Sequence, residues 1–293
     1  MATFIDTYRS LFDLICVYGI LSLAQYVSFR GGVLSLATPG FALIGAYAGA
    51  ILLMKTGVGP FVGAIGATAA GAVAGLILAL PLARLRGVFP AIATIGFMQI
   101  LVSLALYAEP ITGGALGFNG IPKVATTPYL VAAVALVVAC LAVVNRTGIG
   151  RAFDAIRQDV TVAQALGISV AHYSRVNFAL SGAIAGLGGC LLAYNTYSVM
   201  PDEFGFPMLV LVTATVILGG RSTIAGALVG TVVLLVLPEV ARPLRDERLL
   251  VQGALLVLVI TYMPLGIVDS LMERRSLTVA ARESRDGADK ASA

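Results

Sequence analysis

The sequence predicts an all-α polytopic membrane protein with about eight to ten transmembrane helices. Its composition is the first reason, since 59% of the residues are hydrophobic and only 12% are charged, against about 45–50% and 25% in soluble domains. The second is a mean hydropathy of +0.97. The third is the recurrence of uncharged runs of about 20 residues, the length that crosses a bilayer core. A soluble fold of 293 residues could not bury so much apolar surface.

Nine uncharged runs are candidate spans. In chain order they are 14–29, 31–54, 56–83, 87–108, 124–145, 176–201, 204–220, 222–238 and 249–268. Glycine and proline interrupt the run 31–54, which predicts an interrupted or re-entrant segment there. Irregular backbone at membrane depth is tolerated only where protein or a water-filled cavity surrounds it.

Arginine and lysine in short loops predict the orientation, because cytoplasmic loops carry the excess of positive charge. Arginines cluster in the loop 84–86, in the segment 146–175 and in the C-terminal tail. We therefore place these three in the cytoplasm, and the loops 109–123 and 198–206 outside. The odd number of spans then puts the N-terminus outside and the C-terminus in the cytoplasm.

Two domains are expected along the chain. Residues 1–275 form the transmembrane domain, with the polar segment 150–168 on its cytoplasmic face. Residues 276–293 are small and polar, which predicts a disordered cytoplasmic tail.

Several classes of site are not predicted. The three cysteines lie inside apolar runs without metal-ligand spacing, and His172 is the single histidine, so we expect no metal site and no catalytic residues. The chain has no G-x-x-x-x-G-K-[ST] stretch, and therefore no phosphate-binding loop of that kind. Its basic residues are spread between apolar runs, and no nucleic-acid partner is expected.

The segment GRAFDAIRQDVTVAQALGI, residues 150–168, is polar and lies between two long apolar runs. Its apolar residues recur at steps of three and four, which predicts one amphipathic helix of about four turns. Gly167 is placed to end that helix. Such a helix can lie flat at the lipid interface, pack on its own protein or dock against a cytoplasmic partner, and the pattern alone does not separate these.

Six stretches together resemble permease subunits of ABC importers for branched-chain amino acids, of the type that carries RLRG and TGG…GIP motifs. They cover most of the chain in the family's order. The stretches are GRAFDAIRQDVTVAQALGI (150–168), GGVLSLATPGFALIGAY (31–47), RLRGVFPAIATIGFMQI (84–100), ITGGALGFNGIP (111–122), VILGGRSTIAGALVGTVVLLVLPE (216–239) and YMPLGIV (262–268). The chain departs from the family's usual residues at Arg30, at Thr38-Pro39 and at Arg221.

The resemblance implies a transport subunit that is not itself an enzyme and binds no cofactor. Its expected partners are a second related permease, two ATP-binding subunits that use ATP, and an extracytoplasmic substrate-binding protein, assembled in a cell (inner) membrane. The polar segment would be the coupling helix, with Phe153, Ile156 and Val160 filling a groove on the ATPase. The full set of expected coupling residues is Arg151, Phe153, Asp154, Ile156, Arg157, Val160, Ala163 and Gly167.

Polar residues within the spans are candidates for the substrate path. A half-helix N-terminus and nearby hydroxyls suit an amino acid carboxylate, whereas hydrogen bonding between helices explains the same residues equally well. The candidates are Gln25, Ser35, Thr38, Tyr47, Thr94 and Gln99. Other cargo, such as urea or short amides, and an ATP-independent channel or carrier both remain open at this point.

Overall fold

The computed structural model describes residues 2–82, 85, 87–122, 124–240 and 266–270. The described backbone is almost entirely helical. The helices are α1 (Ala2–Arg30), α2 (Thr38–Thr56), α3 (Pro60–Leu82), α4 (Phe89–Tyr107), α5 (Glu109–Thr112), α6 (Thr127–Arg146), α7 (Gly148–Gln158), α8 (Val160–Ala165), α9 (Val170–Thr196), α10 (Phe206–Gly219) and α11 (Ile224–Val240). Two short strands, β1 (Phe118–Asn119) and β2 (Ser198–Val199), complete the described part.

Seven helices of the described part are long and apolar enough to cross a membrane. They are α1, α2, α3, α4, α6, α9 and α10, the last together with the short turn that precedes it. Helix α11 is apolar but shorter. The all-α polytopic class is thus confirmed, and each of the first eight candidate spans corresponds to a helix. The ninth, 249–268, and the tail 276–293 fall outside the described residues, apart from 266–268.

Proline marks the start of many helices. It lies in the first turn of α2, α4, α5, α6 and α10. The first turn of a helix has no use for the backbone N–H that proline lacks, and the fixed φ of proline suits that position. The prolines therefore set where these helices begin without weakening their interiors.

The predicted interruption lies between α1 and α2. Residues 31–37 are not helical, and Gly32 has a φ of +72°, which glycine adopts without strain. Ser35 and Ala37 are buried. Gly32 and Leu34 are exposed, so the segment is covered by the protein only in part, mainly toward α2.

Helix α9 lies at the centre of the bundle and packs on α1, α2 and α3. Glycines allow the closest approaches, because a methyl group on Gly45 would overlap the backbone of Gly186, and one on Gly71 would overlap that of Gly182. Small residues let transmembrane helices approach closely and gain van der Waals contact. The many glycines of the sequence are thus used in helix packing.

The two ends of the bundle differ. At one end β1 pairs antiparallel with β2, with Phe118 opposite Val199, so the loops 109–123 and 198–206 meet. Arg9 near the start of α1 donates to Thr127 Oγ1 at the start of α6 (3.0 Å), at the same end. The opposite end gathers the end of α1, helices α7 and α8, and Asp269. This division matches the alternation of loops that the arginine pattern predicts.

Candidate coupling segment and polar path

The polar segment is two helices and not one. Helix α7 ends at Gln158, and Asp159 is extended (φ −157°, ψ 117°) before α8 begins at Val160. The Asp159 carboxylate accepts hydrogen bonds from the backbone N–H groups of Thr161 (2.6 Å) and Val162 (3.1 Å). The prediction of a single four-turn helix was wrong, because an aspartate that caps a new helix competes with continuation of the old one.

Two local features define the ends of α8. At its start, the hydrogen bonds from the N–H groups of Val162 and Thr161 lower the pKa of Asp159, so its carboxylate is charged where the positive end of the helix favours negative charge. At its end, Gly167 has a φ of +80°. Its N–H donates to the Gln164 carbonyl and that of Ile168 to the Ala163 carbonyl, both at 3.0 Å. This is a Schellman ending with glycine at C′, as predicted for Gly167.

The expected coupling residues divide into two groups. Phe153, Ile156 and Ala163 are buried within this chain, and Asp154 is half-buried. Arg151, Arg157, Val160 and Gly167 are exposed. The structure therefore brings the eight residues onto one segment but gives them different surroundings.

The expectation that Phe153 and Ile156 fill a groove on another subunit was wrong. Phe153 is only 2% exposed and packs edge-on against Tyr173 at a ring-centroid distance of 6.4 Å. Ile156 is 4% exposed, and its Cγ2 atom would lie 3.1 Å from a methyl group placed on Gly32. The apolar face of α7 is thus satisfied by its own chain.

The exposed apolar side chains of the segment belong mainly to α8. Val162 is 55% exposed, and Leu166, immediately after α8, is 73% exposed. We call Val160, Val162 and Leu166 the α8 surface. Helical periodicity alone missed Val162 and Leu166, because they lie off the face that the first turns define.

Four of the six substrate-path candidates meet at the interruption between α1 and α2. Gln25 Nε2 donates to the Ser35 carbonyl (2.8 Å), and Thr38 Oγ1 donates to Gln25 Oε1 (2.5 Å). The Leu36 N–H donates to Thr94 Oγ1 (2.9 Å). All four side chains are at most 1% exposed, so this network braces the segment 31–37.

The other two candidates lie elsewhere. Tyr47 is buried on α2, and its hydroxyl has no hydrogen-bond partner among the described residues. Gln99 lies on the exposed face of α4, apart from the network around Gln25. The neighbours of Gln99 are almost all apolar, which left no periodic contrast to show which way it faces.

Sequence reasoning also missed an ion pair. Arg30, the last residue of α1, contacts the Asp154 carboxylate on α7 with a closest distance of 2.9 Å. The two residues are 124 positions apart, and no local pattern joins them. Among the described residues, no cluster of histidine, cysteine, aspartate or glutamate is suited to a metal ion.

Comparison with known proteins now bears on this architecture. Residues 9–260 match the family model described as branched-chain amino acid transport system / permease component. The chain belongs to this permease family. No solved structure matches.

Individual relatives agree with the family match. The permease is 33% identical to the high-affinity branched-chain amino acid transport system permease protein LivM of Salmonella typhimurium, over 86% of this chain and 68% of the relative. It shows the same identity and coverage with LivM of Escherichia coli. The match to LivH of Salmonella typhimurium is also 33% but covers 41% of this chain and 39% of LivH. The resemblance drawn from the six motifs is confirmed.

Proposed function

We propose that this permease is a transmembrane subunit of an ABC importer that translocates branched-chain amino acids and is driven by separate ATPase subunits. The α8 surface is the observation that carries the proposal. It presents exposed valine and leucine side chains at the end of the bundle that the arginine pattern places in the cytoplasm. A second permease and an extracytoplasmic binding protein complete the assembly, and the permease itself binds no ATP.

The two-helix segment suits a coupling role. The buried side chains of Phe153 and Ile156 anchor α7 in the bundle. A displacement of α8 would therefore be transmitted to the bundle through α7. Apolar side chains stabilise an interface when docking removes them from water, and the α8 surface offers such side chains to a groove on an ATPase. The C-terminus and the loop 84–86 would face the same compartment.

The names of the relatives support the cargo. LivM and LivH are both named as permeases of a branched-chain amino acid transport system, whereas another relative, of 29% identity, is named as a fructose import permease. The α1–α2 interruption lies against α7, where Gly32 is close to Ile156 and to the backbone of Arg157, and it carries the buried network around Gln25. We infer that it borders the path of the amino acid.

Co-purification and transport test the proposal together. The permease, tagged in its own membrane and extracted in mild detergent, should carry with it a second permease and an ATP-binding subunit. Reconstituted with its binding protein, the complex should transport labelled leucine only with ATP. Excess unlabelled urea should not inhibit this leucine transport. Recovery of the chain alone, or leucine transport without ATP, would contradict the proposal.

Asp13 favours a second candidate, an ATP-independent carrier. Its side chain is 4% exposed within α1, and Oδ1 has no hydrogen-bond partner among the described residues. Ionisable groups inside membrane helices often serve ion pathways. A carrier of this kind would move leucine down a gradient in liposomes that contain only this chain, and Asp13→Asn would abolish that movement.

A further inference from the structure

Arg30 and Asp154 form a bidentate ion pair, in which the guanidinium group donates one hydrogen bond to each carboxylate oxygen. Arg30 Nε donates to Asp154 Oδ1 (3.2 Å), and Nη2 donates to Oδ2 (2.9 Å). The side chains are 12% and 39% exposed, respectively. Bidentate pairs of this kind fix direction as well as distance, and lysine does not reproduce them. The pair therefore sets the position of α7 relative to α1 more narrowly than apolar packing does.

The Tyr26 hydroxyl also forms a hydrogen bond with Arg30. Arg30 Nη1 donates to it (3.0 Å), as does Asn145 Nδ2 at the end of α6 (3.4 Å). The hydroxyl donates in turn to the Ser222 carbonyl before α11 (3.5 Å). Tyr26 is 1% exposed. One buried hydroxyl thus joins Arg30 to two other parts of the bundle, the end of α6 and the residues before α11.

Open space borders the coupling segment on two sides. A cavity of about 670 Å³ separates Arg157 from Ile217 and Arg221. A second cavity, of about 360 Å³, lies between Val160 and Leu85. Apolar contacts are non-directional, so the contacts of Phe153 and Ile156 hold α7 against the bundle but constrain its direction less than hydrogen bonds do. The bidentate pair of Arg30 and Asp154 supplies that directional constraint.

We propose that Arg30 is a positioning residue for coupling: held by Tyr26 and paired with Asp154, it transmits a displacement of α7 to the inner end of α1. The adjoining segment 31–37 then moves with it, and with that segment the network of Gln25, Ser35 and Thr38. The inference rests on the proposed coupling role of α7 and α8.

The test uses the whole transporter in lipid nanodiscs or proteoliposomes and measures leucine molecules transported per ATP hydrolysed. Arg30→Gln and Asp154→Asn should each lower this ratio about tenfold, with the double variant no worse than either single one, because the two side chains act through one contact. Arg30→Lys, which keeps the charge and loses the fork, should lie between. Arg175→Gln, a change at an exposed arginine on α9 outside residues 150–168, should not change the ratio.

The outcomes separate the two proposals. If the wild-type chain brings no ATPase subunit, the proposed function fails. If the complex assembles and Arg30→Gln transports as many leucines per ATP as the wild type, the role of Arg30 is overturned. Should Arg30→Gln fail to assemble, Tyr26→Phe decides, since it removes only a hydroxyl: a lowered ratio with intact assembly supports the role, and an unchanged ratio rejects it.

Discussion

Helices α7 and α8 belong to one polar segment and are joined at Asp159, yet they have different surroundings. The apolar face of α7 is buried in its own chain, through Phe153 and Ile156. The apolar side chains at α8, Val162 and Leu166, are exposed. An amphipathic pattern therefore indicates that a face will be buried but does not show which chain buries it.

The largest effect is expected from a substitution in α7, the helix whose apolar face is buried in its own chain, and it should appear in the stability of the permease. Phe153→Ala removes a ring that is 2% exposed, and such changes cost about 3–5 kcal/mol. We expect a clearly lower midpoint of thermal unfolding for the purified permease without any ATPase subunit, measured by size-exclusion chromatography after heating. Leu166→Ala is the matched control and should leave the midpoint unchanged. Equal midpoints for Phe153→Ala and the wild type would remove the distinction between the helices.

The next largest effect is expected from a substitution on the α8 surface, and it should appear in the affinity for the ATPase subunit. Leu166→Asp places a charge where the proposal has an apolar side chain entering a groove. Burial of a leucine side chain is worth about 1.5–3 kcal/mol, so this change should cost about 2 kcal/mol or more, roughly thirtyfold in affinity. Titration of the ATPase subunit onto the permease in nanodiscs measures this. Leu116→Asp, at a leucine of similar exposure (80%) at the opposite end, should not change the affinity, and unchanged binding by Leu166→Asp would contradict the proposed docking.

The smallest effect is expected from a substitution at Asp159, between α7 and α8, and it should be confined to the local stability of α8. Asp159→Ala removes the acceptor for Thr161 and Val162, so the start of α8 should fray while α7 stays in place. Hydrogen exchange of the α8 amides should become faster in the variant, and that of the α7 amides should not. Faster exchange in both helices would mean that the two move as one unit.

The same cap gives a pH dependence. The folded pKa of Asp159 is lowered, so its contribution is complete above the usual aspartate pKa of about 3.9 and is lost as the pH falls through the lowered value. Exchange of the α8 amides, corrected for the intrinsic rate, should therefore be constant near neutral pH. Only in acid should the wild type approach Asp159→Ala.

Much of the fold could be predicted because apolar runs of membrane length have few alternatives. The interruption after α1 was also visible, since glycines and a proline stand in one run. The break at Asp159 was not, because the helical period continues across it. Aspartate is unremarkable on a polar helix face until its carboxylate is seen to cap the next turn.

The site was predictable to a smaller degree. The segment and its polar character were evident, but the burial of Phe153 depends on Tyr173, which lies beyond the segment. The pair of Arg30 and Asp154 joins residues 124 positions apart, and only tertiary structure brings them together. Gln25, Thr38 and Thr94 were singled out as polar groups within apolar runs, whereas their shared role in bracing residues 31–37 required the fold.

Cysteine labelling at position 166 shows whether the α8 surface faces the cytoplasm and whether an ATPase subunit covers it. In a permease whose three native cysteines are replaced, Leu166→Cys should react with a membrane-impermeant maleimide in inside-out vesicles and not in intact cells. Bound ATPase subunits should protect it, while Leu116→Cys should react from the outside with or without them. Labelling of position 166 from outside, or equal labelling with and without the ATPase subunits, would contradict the account.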